Sequence, residues 1–260
     1  MRFQGYTDEW EKNRASKLLN FFTTNSLTWE NLNYDSGKIQ NIHYGIIHKG
    51  LPTITDTNIE TIPFINSDIK IKNYTLCKTG DLVFTDASED LDGVAKVIEL
   101  QNVNTPIIVG LHAIHARDVS NIMVNGFKGY VFSAIPFRKQ IYRLSVGTKI
   151  YSINSRNFND VNISIPSKEE QSKIANFLLL IDKKIQTQSK IIEELKSYIF
   201  KLNKNIILSV EGEIKNLYEL AEIYQPQTIS NSKMNDKYKY FVYGANGIIG
   251  KYHMFNHKSE

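Results

Sequence analysis

Ile163-Ser164-Ile165-Pro166-Ser167-Lys168-Glu169-Glu170-Gln171 decides how this chain is divided. Pro166 has no N–H to give to a strand ladder and stops the extended stretch before it. Ser167 stands three residues before Glu170, the spacing of a capping box, in which each side chain satisfies a free backbone N–H of the other. Past this start, Ile174, Leu178, Ile181, Ile185, Ile192, Leu195, Ile199, Leu202 and Ile206 recur at steps of four and three, and only Gln188 interrupts the series. Such a heptad seam needs a partner helix to cover it. At 1.5 Å per residue it extends over about 48 Å, too long for an ordinary core helix, which predicts a rod, a ruler or a docking surface.

The 260 residues suffice for one large domain or a medium domain with an appendage. Hydrophobic residues make up 42%, enough to fill a core, and the net charge of +4 permits nucleic acid as a partner without demanding it. A single cysteine, Cys77, excludes an intramolecular disulfide and a cysteine-based zinc site. The opening Met1-Arg2-Phe3-Gln4-Gly5-Tyr6-Thr7-Asp8-Glu9-Trp10 is polar, unlike a signal peptide. No apolar run approaches the roughly 18 residues of a membrane span. The expectation is a cytoplasmic protein with no membrane partner.

Outward from the long helix, residues 1–165 read as one mixed α/β domain, 166–210 as the helix, and 211–260 as the beginning of a second domain. An amphipathic helix is expected over Trp10 to Phe22. Strands are expected at Tyr44-Gly45-Ile46-Ile47, Asp81-Leu82-Val83-Phe84, Val94-Ala95-Lys96-Val97-Ile98, Pro106-Ile107-Ile108-Val109-Gly110 and Lys149-Ile150-Tyr151-Ser152-Ile153. Asn121 to Phe132, continuing to Arg143, reads as helical. Asn216-Leu217-Tyr218-Glu219-Leu220-Ala221-Glu222-Ile223-Tyr224 can be laid over Arg14 to Phe22, so that Leu18 meets Leu220. A real match would make the last fifty or so residues the opening of a second copy, too short for a comparable core.

Charge is uneven. Val119 to Asn159 contains no Asp or Glu but carries Lys128, Arg138, Lys139, Arg143, Lys149 and Arg156, whereas Asp81 to Glu99 holds Asp81, Asp86, Glu89, Asp90, Asp92 and Glu99. A positive face of this kind suits phosphates, and for the carboxylates from Asp81 to Asp92 a solvated loop is the expectation over a nuclease or glycosidase site. Catalytic motifs are missing: there is no P-loop, no G-x-G-x-x-G, no G-x-S-x-G elbow and no Asn/Asp-Pro-Pro-aromatic motif of an adenine-N6 methyltransferase. His112 and His115 could hold a metal only with ligands from elsewhere, and solvated or core-edge histidines are the better reading. The chain is therefore expected to be non-catalytic, with no metal and no cofactor of its own.

Ile165-Pro166-Ser167-Lys168-Glu169-Glu170-Gln171-Ser172-Lys173-Ile174-Ala175, leading into Leu180-Ile181-Asp182-Lys183-Lys184-Ile185, resembles the conserved helix of type I restriction–modification specificity subunits. Arg2 to Trp10 resembles the N-terminus of that family. Gly110-Leu111-His112-Ala113-Ile114-His115-Ala116-Arg117 and Tyr243-Gly244-Ala245-Asn246-Gly247-Ile248-Ile249-Gly250 are similar to segments of its target recognition domains. The resemblance implies two recognition domains held apart by two antiparallel helices, each domain reading one half of a split sequence in double-stranded DNA. It also implies modification subunits, which carry S-adenosylmethionine, and restriction subunits in the full complex. Residues 1–165 would be the first recognition domain, and about 48 Å of helix would set half-sites roughly 14 base pairs apart. A half-subunit that dimerises through its own helix is a further expectation from the unpaired seam.

On this reading the DNA-contacting candidates are Tyr44, His48 and Lys49 in one loop, and Lys128, Arg138, Lys139, Arg143, Lys149, Asn154 and Arg156 in the basic stretch. The arginines are the better base readers, because a planar fork matches guanine O6 and N7. The helix-interface candidates are Ile174, Leu178, Ile181, Ile185, Gln188, Ile192, Leu195, Ile199 and Leu202, with Gln188 a candidate for fixing register. A runner-up function is an interaction module, a decoy that occupies modification subunits without productive DNA targeting.

Overall fold

The structure, a computed structural model, describes residues 2–147, 149–222 and 228–256. It divides into a unit up to Leu195 and a unit from Lys196 onward.

The first unit opens on β1 (Glu11–Arg14), one helical turn, α1 (Ala15–Leu18), and β2 (Leu19–Phe22). β3 (Leu32–Asn33), β4 (Gln40–Ile42), α2 (Tyr44–Lys49), β5 (Ile54–Asp56) and β6 (Phe64–Ile65) follow. Next come β7 (Leu82–Thr85), β8 (Ala87–Ser88), β9 (Val97–Gln101), β10 (Ile107–Val109) and β11 (Ala113–Asp118). α3 (Lys128–Val131), α4 (Ile135–Leu144), β12 (Tyr151–Ser152) and β13 (Asn162–Ile165) lead into α5 (Lys168–Ser209).

A five-stranded sheet in the order β2-β11-β7-β9-β5 is antiparallel except for its β9–β5 edge. β7 is buried along its whole length, and its side chains alternate between two cores. Leu82 and Phe84 face an aromatic core in which Phe84 meets Phe132 at 5.5 Å and Phe158 at 5.0 Å. Val83 faces the second core with Ile98, Leu100, Ile107, Val109, Ile42 and Ile47. That core lies toward the four-stranded sheet β10-β4-β6-β3, and a strand covered on both faces reads as a continuous apolar run rather than an alternation.

Four expected elements differ. Trp10 to Phe22 is not one helix: Glu11 to Arg14 pairs with Asn162 to Ile165, and Leu19 to Phe22 pairs with His115 to Asp118, leaving one turn between them. Leu18, Leu19, Phe21 and Phe22 fit either period, and the open edges of β11 and β13 decide for strands. Tyr44 to Ile47 is helix rather than strand: His43 Nδ1 accepts the Gly45 N–H at 3.1 Å to start it, and Gly50 ends it at φ +120°. The segment 94–98 is strand only from Val97. The helical expectation for 121–143 resolves into α3 and α4, separated by Phe132, Ser133 and Ala134.

α5 starts where the sequence predicts, yet its capping box is half-made. The Glu170 N–H lies 3.4 Å from Ser167 Oγ, but the Glu170 carboxylate takes both Nε and Nη2 of Arg2 at 2.7 Å each. Arg2 thus ties the N-terminal segment to the helix, helped by Phe3 edge-on to Phe177 at 5.7 Å and Lys173 over the Tyr6 ring. Gln171 is fully buried: its Oε1 accepts from Val124 N and its Nε2 donates to the Ile122 and Pro166 carbonyls. Gln171→Leu would strand those groups and is expected to cost about 2 kcal/mol, read as a lower urea midpoint with an unchanged slope.

The second unit holds the end of α5, one turn α6 (Leu217–Leu220), and the hairpin β14 (Tyr240–Gly244) with β15 (Gly247–Tyr252). Met234 packs on Gly250 and Tyr238 meets Tyr252 edge-on, yet none of its described residues is buried. α6 falls on α1 under the repeat alignment, Leu220 on Leu18, and each turn is followed by extended backbone. Ile223 and Tyr224 of that alignment lie outside the described residues.

Candidate nucleic-acid interface

Two of the sequence candidates meet across one short ladder. β12 pairs with β8, Tyr151 opposite Ser88 and Ser152 opposite Ala87, and Ile153 N donates to Asp86 O at 2.8 Å. This ladder carries the 149–156 stretch to the 86–90 hairpin. α2 closes the other side: His48 Nε2 lies 3.3 Å from Ala87 O, and the Tyr44 ring stands edge-on to His48 and to His112. An open cleft of about 380 Å³ results, lined by Tyr44, His48, Ala87, Ser88, Glu89, Asp90, His112 and Ile150. A second cleft of about 470 Å³ lies beyond Asp86, lined among others by Thr23, Thr24, Asn154 and Ser155.

His112 sits in the turn between β10 and β11 at φ +53°, a conformation that non-glycine residues adopt at a cost. Its Nδ1 faces Asp86 Oδ1 at 3.3 Å, and both side chains remain partly exposed. Burial pushes the Asp86 carboxyl above its ordinary range, against the pull of His112. His43 is buried beneath, stacked between Trp29 at 4.3 Å and Tyr44 at 4.6 Å; burial, then the neighbouring His112 and Lys49, lowers its pKa. The Lys49 ammonium lies over Trp29.

Of the basic candidates, Lys139, Arg143, Lys149 and Arg156 are exposed, and their side chains have no ion-pair or hydrogen-bond partner among the described residues. Lys139 and Arg143 are one turn apart on α4, Lys149 precedes Ile150 of the first cleft, and Arg156 follows Ser155 of the second.

The others need correction. Lys128 is 4% exposed, bonds Asn125 Oδ1 at 2.8 Å and sits 4.0 Å from Glu99, so no phosphate can reach it. The Arg138 fork is spent on the carbonyls of Leu91, Asp92 and Val94 and stacks on Tyr142, holding the acidic loop in place instead of reading guanine. Asn154 Oδ1 accepts from Arg156 N and caps the 3-10 turn Ser155–Asp160, although the residue stays exposed beside the second cleft. Residue type alone does not separate a free guanidinium from one folded back on carbonyls.

The acidic stretch is not a uniform solvated loop either. Asp81 and Glu99 are fully buried. Asp81 accepts from Arg117 Nε and Nη2 at 2.7 and 2.8 Å, from His115 Nε2 at 2.7 Å and from Lys78 N at 2.8 Å. Burial raises its pKa, but these donors outweigh it and hold the carboxyl below its usual range. Glu99 accepts from Gly126 N and Gly129 N, and burial keeps its pKa raised. Gly129 is required there, since a Cβ would come within 2.9 Å of Thr53 O.

Cys77 joins Asp81 and His115, with ligand atoms within 4.8 Å of one another. Four donors already saturate the Asp81 carboxylate, and burial drives the Cys77 thiol upward, so the cluster is an internal ion pair rather than a cation site. His112 and His115 do not act together: His115 is fully buried and His112 is half-exposed.

Along α5, Gln171 and Ala175 are buried and Ile174, Leu178, Leu179 and Asp182 are half-buried, the last accepting from Tyr130 OH at 2.6 Å. Ile174 packs against the aromatic core, so the seam begins under cover of the α/β domain itself. From Ile181 onward the seam is exposed: Ile185 58%, Ile192 50%, Leu195 55%, Ile199 59%, Leu202 58%. Gln188 is exposed among them.

A mixed α/β domain with an aromatic cleft and free cations is thus mounted on the start of a long helix. Residues 7–197 match the family described as type I restriction modification DNA specificity domain. The chain belongs to that family. It is 26% identical over 159 residues to the type I restriction enzyme MjaVIII specificity subunit of Methanocaldococcus jannaschii, across 61% of this chain and 37% of that protein. Thus the chain spans little more than a third of that relative's length. Among solved structures, the S subunit of the type I system of M. genitalium gives a TM-score of 0.49 at 15% identity, covering 99% of this chain and 66% of that one. The HsdS subunit of Thermoanaerobacter tengcongensis gives 0.47 at 12%, covering 79% and 46%. No helix among the described residues is long and apolar enough to cross a membrane.

Proposed function

We propose that this chain reads one half of a bipartite double-stranded DNA target for a type I restriction–modification system and leaves the chemistry to its partners. The observation that carries the reading is the pair of clefts lined by His112 and by Asp86, with the free cations Lys149 and Arg156 next in sequence to their lining residues Ile150 and Ser155, in a domain of the DNA specificity family. Tyr44 and His48 offer aromatic surface and donors, and Lys139, Arg143, Lys149 and Arg156 meet phosphates. The exposed seam from Ile181 to Ile206 serves as the docking rail. It measures about 38 Å, which corresponds to roughly 11 base pairs rather than 14, because its first two positions belong to the domain. Its partner is a second such helix, from another copy of the chain or from the same protein, with modification subunits carrying S-adenosylmethionine bound nearby and restriction subunits completing the complex.

Co-purification with a modification subunit followed by methylation mapping tests the reading: methylation confined to a split sequence is expected. A complex that forms but leaves DNA unmethylated would point instead to an interaction module that sequesters modification subunits. Binding measured against salt adds a residue-level check. Removing one phosphate-binding cation, as in Arg156→Ala or Lys149→Ala, should flatten the log–log slope by about 0.9 and weaken all sequences alike, whereas an exposed cation outside the interface leaves it unchanged.

A further inference from the structure

We propose that the Asp86–His112 pair is a base-reading element that selects an exocyclic amino group, adenine N6 or cytosine N4, over a keto edge in the major groove. The proposal rests on the DNA-reading assignment of this face and names the chemistry it selects. Asp86 lines the second cleft and His112 the first. With Asp86 as carboxylate and the imidazole in the neutral tautomer whose Nδ1 carries the hydrogen toward it, Nε2 is left as an acceptor.

His112 Nε2 has no partner among the described residues, and the second Asp86 oxygen bonds no other residue. The outward groups of the pair are therefore all acceptors. Glu89, exposed on the rim of the first cleft, adds another carboxylate. A floor of acceptors repels phosphate, while free cations stand at Lys149 and Arg156 to the sides; this order fits base edges in the middle and backbone at the flanks. Of the major-groove edges, only adenine and cytosine offer an amino donor, whereas guanine and thymine present O6 and O4 acceptors that would oppose these groups. His112 keeps a left-handed backbone conformation, φ +53°, while its side chain lines the first cleft.

The test is selection from a randomised double-stranded oligonucleotide library by the full chain, followed by binding to the selected site and its single-position variants. Wild type, Asp86→Asn, His112→Asn and Arg156→Ala are compared, with thermal melts to confirm folding; asparagine at 112 tolerates the positive φ. Wild type should require adenine or cytosine at one position and lose about ten- to a hundredfold on a keto base there. Asp86→Asn, which adds a donor, should weaken binding to the selected site and cut that ratio below about threefold. His112→Asn should change preference at the same or the adjacent position. Unchanged discrimination in Asp86→Asn at every position of the selected site overturns the proposal. If Arg156→Ala still flattens the salt slope, the DNA-reading assignment survives that failure; absence of salt-dependent binding in wild type removes both.

Discussion

Asp81→Ala is expected to lower the stability of the recognition domain by about 3 kcal/mol. The carboxylate is fully buried and closes four hydrogen bonds, so its removal strands the His115 ring, the Lys78 N–H and most of the Arg117 guanidinium. Arg117 is 22% exposed and recovers some hydration, which keeps the cost at the lower end for a broken buried pair. Acid unfolding should report the same group. The folded Asp81 carboxyl titrates below its ordinary value of 3.8, so its contribution is fully present above that value and is lost as pH falls through the folded one. Glu99 acts in the opposite sense: its raised value favours the fold most below 4.5 and loses that advantage as pH rises toward the folded value. Urea midpoints between pH 2.5 and 7 should show a steep acid limb in wild type and a shallower one in Asp81→Ala. An equally steep limb in the variant would place the acid sensitivity elsewhere.

Ile192→Asp combined with Ile199→Asp should abolish helix-mediated assembly, weakening it by more than about a hundredfold, while leaving the domain folded. Both residues are at least half exposed in the chain by itself, so the substitutions remove nothing from the core. In an assembled seam each carboxylate would have to be buried among apolar side chains or protonated, at about 2 kcal/mol or more apiece. Sedimentation equilibrium of the chain alone and capture of a modification subunit are the measurements. Ile174→Asp is the control with the opposite signature: Ile174 packs against the aromatic core, so that variant should lose stability first. Assembly retained by the double aspartate variant would exclude the exposed seam as the docking rail.

Legibility followed the range of the interactions involved. The long helix was readable because start signal and heptad lie in one continuous stretch; α5 runs from Lys168 to Ser209. β7 and β10 were readable as apolar runs bounded by turn residues. Trp10 to Phe22 was not, since its apolar residues satisfy both periods and only pairing with β13 and β11 chooses between them. In the candidate interface, Tyr44, His48 and Lys149 were named from residue type, but the Asp86–His112 pair at the centre was missed. Asp86 was counted with an acidic loop and His112 with its neighbour His115. A weak signal existed in the turn Gly110-Leu111-His112, between two apolar strands, which leaves a histidine exposed where the chain reverses.

Family and long helix therefore came from the sequence, because each depends on local spacing and on residue types present in one continuous stretch. Which cations are free was settled only by tertiary structure. Lys128 and Arg138 carry the same charge as Lys149 and Arg156. The first two, however, are consumed by Asn125 nearby and by Glu99 and loop carbonyls tens of residues away in the chain. The same holds for the seam: its periodicity is written in the sequence, yet the point at which the recognition domain stops covering it, between Leu178 and Ile181, depends on how the domain packs against the helix. A charge or an apolar stripe is a local property, whereas its availability is what remains after every neighbour in space has been satisfied.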